Sequence, residues 1–100
     1  MEQLQFDAEK GTIAVNGEVK QLTKKESCLL NLLLENKNNV VERNTTLDTL
    51  WTSNNYFSSR SLDVYITKLR YLLKPFPYII IESIRGKGHI LRINELGKEA

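Results

Sequence analysis

Between residues 56 and 92 the chain carries seven basic side chains, Arg60, Lys68, Arg70, Lys74, Arg85, Lys87 and Arg92, against Asp63 and Glu82. Residues 1–55 show the reverse, with six Lys or Arg against eight Asp or Glu. The formal total of +2 over 100 residues hides this asymmetry. Guanidinium and ammonium groups gathered in one half can bind a polyanion, by neutralising phosphates and by donating to base edges. The alternative is a solvated basic face. Charge alone does not separate the two readings; the placement of the charges on helices and turns does.

Other chemistries lack their residues. One histidine, His89, and one cysteine, Cys28, supply no nucleophile–base pair, no metal cluster and no internal disulfide. Arg85-Gly86-Lys87-Gly88 is too short for a phosphate-cradling P-loop. No catalysis, cofactor, metal or small-molecule substrate is therefore expected. The longest apolar runs, around Cys28–Leu34 and Tyr78–Ile81, fall far short of the roughly 18 residues of a membrane span. The N-terminus has neither the basic start nor the apolar stretch of a signal peptide, so a cytoplasmic protein with no membrane partner is expected. At 41% hydrophobic and 26% charged, the composition is that of one ordinary folded domain.

The elements that must position the basic residues can be read in order. Gln5–Asp7, Thr12–Val15 and the residues after Asn16-Gly17 predict a small antiparallel meander, since Asn-Gly accepts the positive φ of a tight hairpin turn. Thr23-Lys24-Lys25-Glu26 fits a capping box that opens a leucine-rich helix, with Cys28 expected in its core. That helix should end in Asn36-Lys37-Asn38-Asn39, where asparagine tolerates left-handed φ. Val40-Val41 is a short extended piece, and Arg43–Trp51 a second helix. A third helix runs from Ser58 or Ser59 to about Leu73, stopped by Lys74-Pro75-Phe76-Pro77. Two β-rich segments, Tyr78–Ile84 and Ile90–Ile93, then flank the glycine-lined basic tip Arg85-Gly86-Lys87-Gly88-His89. Three helices followed by a β-hairpin is the order of a winged helix-turn-helix.

The third helix has two faces. At about 100° per residue, Leu62, Ile66, Leu69 and Leu73 fall within a narrow apolar seam. Arg60, Val64, Thr67, Lys68 and Tyr71 lie on the opposite side. Lys68 can donate to guanine or phosphate, Val64 can meet a thymine methyl, and Thr67 and Tyr71 can bond bases or phosphates. An ordinary wet face would favour Glu or Lys over a valine and a tyrosine. The hairpin adds Arg85, able to enter a narrow minor groove, with Lys87 beside it. Asp63, on the helix flank, is expected to orient a neighbouring cation. Gly86 and Gly88 are expected to tighten the turn and permit approach to phosphate.

These motifs resemble the effector domain of the OmpR/PhoB family of bacterial response regulators. The resemblance rests on Leu22-Thr23-x-x-Glu26-x-x-Leu29-Leu30-x-Leu32-Leu33, Val40-x-x-Arg43, Leu47-x-x-x-Trp51, Ser59-Arg60-x-x-Asp63-Val64-x-Ile66-x-x-Leu69-Arg70-x-x-Leu73 and Ile84-Arg85-Gly86-x-Gly88-x-x-Leu91. It covers roughly residues 4–93. It implies an α+β winged helix-turn-helix with a four-stranded antiparallel N-terminal sheet, three helices and a C-terminal β-hairpin wing, all in one domain over residues 1–100. It implies sequence-specific double-stranded DNA binding for transcription regulation, as the output domain of a two-component regulatory system. The third helix, about 59–73, would enter the major groove and the wing, 83–89, the minor groove. By position, Arg60, Tyr65, Thr67, Lys68 and Arg70 would contact DNA from the helix, Ser83 and Arg85 from the wing, and Trp51 the backbone. The segment holding Asn54, Asn55, Tyr56 and Phe57 matches a loop that touches RNA polymerase in several members, although the residues themselves favour packing of Tyr56 and Phe57 on the second and third helices. Tandem direct-repeat sites and a second protomer on DNA would follow.

Several positions depart from the pattern. Tyr65 and Thr67 stand where relatives often have His and a basic residue, Glu42 where a capping Ser is common, and His89 where the wing usually has tyrosine. The receiver domain is absent from this chain, and an excised effector domain is the expectation. Two readings compete with DNA binding. A protein-docking module would use Tyr56, Phe57 and Tyr71 as anchors. An RNA-binding variant would want an aromatic stacking platform, which is missing here.

Overall fold

The computed structural model describes residues 4–15, 17–50 and 59–93, with Val15, Ser59 and Arg60 described by their backbone alone. Its elements follow the sequence order closely. Strands β1 (Gln5–Asp7), β2 (Thr12–Val15) and β3 (Glu18–Gln21) form an antiparallel sheet in that order. The β2–β3 hairpin pairs Val15 with Glu18 and turns through Gly17 at φ +83°. The β1–β2 turn passes Gly11 at φ +67°, and the Gln21 amide nitrogen donates to the carbonyls of Lys10 and Gly11. Ile13 of β2 is fully buried, and it plugs the meander into the core.

Helix α1 (Lys24–Glu35) opens on the capping box expected at Thr23. The Glu26 N–H donates to the Thr23 hydroxyl at 3.1 Å and the Thr23 N–H donates to the Glu26 carboxylate at 2.9 Å, so two orphan donors are satisfied together. The helix stops in the asparagine cluster, with Asn38 at φ +65°. Strand β4 (Val40–Glu42) leads directly into α2 (Arg43–Leu50). Helix α3 (Ser59–Leu72) gives way to turns before Pro75, and strands β5 (Ile79–Ile84) and β6 (Gly88–Ile93) form the hairpin.

Leu29, Leu30 and Leu33 of α1, Leu50 of α2, the seam Leu62, Ile66, Leu69 and Leu73, and Ile81 and Leu91 of the hairpin make one core. Phe76 closes it below α3, with Tyr78 edge-on at a ring separation of 6.2 Å. The Tyr78 hydroxyl accepts from the Leu4 N–H at 2.8 Å, which ties the start of the N-terminal sheet to the start of the hairpin. Among the described residues no helix is long and apolar enough to cross a membrane.

Two sequence expectations change. The N-terminal sheet has three strands among the described residues, not four. Leu22 and Thr23 run straight into the α1 cap, and the next extended piece lies beyond α1, where β4 joins the hairpin in a second sheet ordered β4-β6-β5. Cys28 is exposed and not in the core. The buried positions of α1, Glu26, Ser27, Leu29, Leu30 and Leu33, cluster about a direction opposite Cys28 at about 100° per residue.

Candidate nucleic-acid interface

Helix α3 turns its apolar seam inward as its spacing predicts: Leu62 and Leu69 are fully buried and Ile66 and Leu73 nearly so. The opposite face is open. Val64 is 50% exposed and Tyr71 71% exposed. Thr67 and Lys68 are exposed between them. Tyr65 is set further in, packed partly against the core, with the Lys68 ammonium 5.3 Å from its ring centroid. The Lys74 ammonium lies 5.9 Å from the ring of Tyr71. The Arg60 side chain, Trp51 and the segment Asn54, Asn55, Tyr56 and Phe57 lie outside the described residues.

The wing is held to the helices by two arginines. The Arg70 Nε donates to the Ile81 carbonyl at 3.0 Å and its Nη2 to the Ser83 hydroxyl at 3.0 Å. The Arg43 guanidinium meets the Asp63 carboxylate at 2.7 Å, so Asp63 does orient a cation, joining the start of α2 to the second turn of α3. The Arg43 N–H also donates to the Lys87 carbonyl at 3.0 Å, so the exposed amide of a helix start is satisfied by the wing turn. Arg85, Gly86 and Lys87 make that turn, all exposed. Together with Asn44, Asp63 and His89 they line an open cleft between the wing, the start of α2 and Asp63 of α3. Of the other basic residues, Arg92 pairs with Glu82 at 2.7 Å on the hairpin.

The turn is shorter than expected, because Gly88 and His89 belong to β6. Gly88 does not serve a close approach to phosphate. A Cβ built on it would stand 2.1 Å from the Val41 carbonyl and 2.9 Å from Glu42 Cα, so glycine is what lets β4 and β6 meet. Gly86, at φ +76° with open space around it, is the glycine that shapes the turn.

His89 is only 3% exposed and is paired across β6 with Val41 on one side and Ser83 on the other. It lines the cleft. Its Nδ1 is buried without a hydrogen-bond partner. Burial pushes its pKa below the ordinary 6.5, and the charges of Arg43 and Arg70 push the same way against a weaker pull from Asp63. Burial and the two nearby cations thus both favour the neutral imidazole. Sequence reasoning missed this burial and the role of Arg43; the acidic Asp63 opposite a cation at the neighbouring helix start was the signal available for the latter. Among the described residues no three His, Cys, Asp or Glu groups are placed to hold a metal.

Residues 17–91 match the family model described as "Transcriptional regulatory protein, C terminal". The chain belongs to that family. This agrees with the OmpR/PhoB-type resemblance of its motifs, and family members are regulators of transcription. The chain is 46% identical over 86 residues to the transcriptional regulatory protein RprY of Bacteroides fragilis, covering 86% of this chain and 36% of RprY. It is 41% identical over 88 residues to the response regulator ArlR of Staphylococcus epidermidis, covering 87% of this chain and 40% of ArlR. The chain thus spans two-fifths or less of the length of these curated relatives. In fold it is similar to the DNA-binding domain of the response regulator AdeR, solved in complex with an intercistronic region, with a TM-score of 0.72 at 18% identity over 93% of this chain and 97% of that one.

Proposed function

We propose that this domain binds double-stranded DNA sequence-specifically and serves as the output domain of a two-component response regulator. The observation that carries the reading is the open face of α3: Val64, Thr67, Lys68 and Tyr71 are exposed on a helix whose other side is locked into the core. An α-helix fits the major groove, and this one offers an apolar contact, hydroxyls and a cation at helical spacing. The wing turn, bearing Arg85 and Lys87, shares a cleft with Asp63 of α3 and reaches the neighbouring minor groove. Arg60, Tyr65 and Ser83 belong to the same proposed contact set, and Trp51 to the backbone contacts. The fold shared with the DNA-bound domain of AdeR supports this reading. A domain built this way needs no catalytic group and acts in the cytoplasm.

Two protomers would lie head to tail on tandem direct repeats, and residues 54–57 would meet RNA polymerase. Selection of bound duplexes from a random library, followed by sequencing, tests the proposal. Enrichment of a short motif repeated at about 10–11 bp, one helical turn, is the expected result. Capture without enrichment would leave only phosphate binding by the basic half. No capture at low salt would transfer the exposed Tyr71 face to protein docking instead.

A further inference from the structure

We infer that Arg70 is a positioning residue that sets the wing against the recognition helix, and that it acts on DNA through Arg85 and not by a contact of its own. This rests on the DNA-binding reading above and refines it, since the family resemblance would count Arg70 among the direct contacts. At about 100° per residue Arg70 falls on the same flank of α3 as Asp63, between the buried seam and the open face. Both residues on that flank are bonded to a neighbouring element: Asp63 to Arg43 of α2, Arg70 to β5.

The geometry of the bonds makes Arg70 a two-point clamp. Its Nε donates to a backbone carbonyl, Ile81, and its Nη2 to the Ser83 hydroxyl two residues further along the same strand. A guanidinium presents those donors in one rigid plane, so both bonds together fix the direction of β5 as well as its distance from α3. Ser83 is two residues before Arg85, which begins the turn. On the far side of the turn the Lys87 carbonyl is held by the Arg43 N–H. Arg85 is thus bracketed by two anchored residues, one tied to α3 and one to α2. A helix in the major groove and an arginine in the adjacent minor groove must keep a fixed separation to engage together, and Arg70 with Ser83 supplies the half of that constraint that comes from α3 itself.

A double-mutant cycle on the enriched duplex separates a clamp from a phosphate contact. Arg70→Ala is expected to weaken binding by about fivefold to tenfold in the wild-type background and by no more than about twofold in the Arg85→Ala background. In that second background the dependence of log K on log salt should be unchanged by Arg70→Ala. A direct phosphate contact would give equal losses in both backgrounds and flatten the slope by about 0.9, which would overturn the clamp. Arg70→Lys adds a readout that charge alone cannot mimic: a phosphate contact is largely rescued by lysine, whereas one ammonium does not reproduce the planar pair of bonds. Rescue by lysine therefore counts against the proposal. Ser83→Ala, which removes one bond and no charge, should weaken binding by a smaller factor in the wild-type background and leave it unchanged in the Arg85→Ala background, whereas a DNA contact by the Ser83 hydroxyl would cost the same in both; an effect of nil in the wild-type background with the chain folded by circular dichroism, or equal losses in the two backgrounds, would overturn it. Failure of the wild-type chain to bind any duplex is a different outcome, since it removes the DNA reading itself.

Discussion

The Arg43 guanidinium and the Asp63 carboxylate meet at 2.7 Å, joining the start of α2 to the second turn of α3. The pair fixes the relative approach of the two helices that make the helix-turn-helix. It does so at the rim and not in the core, with the Asp63 side chain 64% exposed and that of Arg43 34% exposed. Exposed pairs of this kind contribute about 0.2–1 kcal/mol, because water screens the attraction and two side chains lose freedom.

Asp63→Ala should therefore lower stability by about 0.5 kcal/mol, or roughly 2–4 °C in melting temperature for a domain of this size. Thermal unfolding followed by circular dichroism checks this. A fall beyond about 10 °C would mean that the pair is coupled to the wider network that includes the Arg43 N–H and the Lys87 carbonyl.

His89 gives the domain a pH dependence with a definite sign. Its folded pKa lies below the ordinary 6.5, chiefly through burial and then through Arg43 and Arg70. As pH falls through 6.5 the unfolded chain takes up a proton that the folded chain refuses. Stability from this site is complete above pH 6.5 and declines on acidification until the folded pKa is passed. Urea unfolding between pH 7.5 and 5.5 should show it, with a slope no steeper than the one-proton limit of about 1.4 kcal/mol per pH unit. His89→Phe should flatten the curve over that range. A curve of the same shape in both proteins would assign the effect to carboxylates elsewhere.

The two glycines of the wing should respond differently to the same substitution. Gly88→Ala drives a methyl into the Val41 carbonyl and the Glu42 backbone, none of which can move without separating β4 from β6. A loss of about 3 kcal/mol or more, or failure to fold, is expected. Gly86→Ala meets no neighbour within 4 Å and carries only the cost of a positive φ, about 1 kcal/mol. Urea midpoints of the two variants give the comparison, and near-equal losses would contradict the packing role of Gly88.

The features that the sequence revealed are those whose cause is local. The Thr23–Glu26 cap, the β2–β3 hairpin at Gly17, the α3 seam and the stop before Pro75 each depend on residues a few positions apart, and each is present, while Asn16 lies outside the described residues. Features set by long-range pairing were hidden. Nothing near Val40–Glu42 says that it will join β6, so Gly88 looked like a turn glycine and His89 like a tip residue. Cys28 was misplaced because leucines on several sides of α1 obscure which face wins the core. Arg70 sits between the two faces of its helix, and only the position of β5 decides which way its guanidinium points.

Arg85 provides the test of the wing as a reader of DNA. It is exposed at the turn, one residue before Gly86, and its neighbours Ser83 and Lys87 are anchored to the helices behind it. An arginine so presented can enter a narrow minor groove, where the negative potential is strongest over A·T-rich sequence. Arg85→Ala should weaken binding to the selected duplex and reduce the preference for A·T pairs beside the major-groove motif, leaving that motif unchanged. If about four to six phosphates are neutralised in the complex, log K for the wild-type chain should fall against log salt with a slope near −0.9 per phosphate. Competition titrations with A·T-rich and G·C-rich flanks, at several salt concentrations, measure both effects together. Equal affinity and equal flank preference in the two proteins would remove the wing from recognition and leave the open face of α3 to read the site alone.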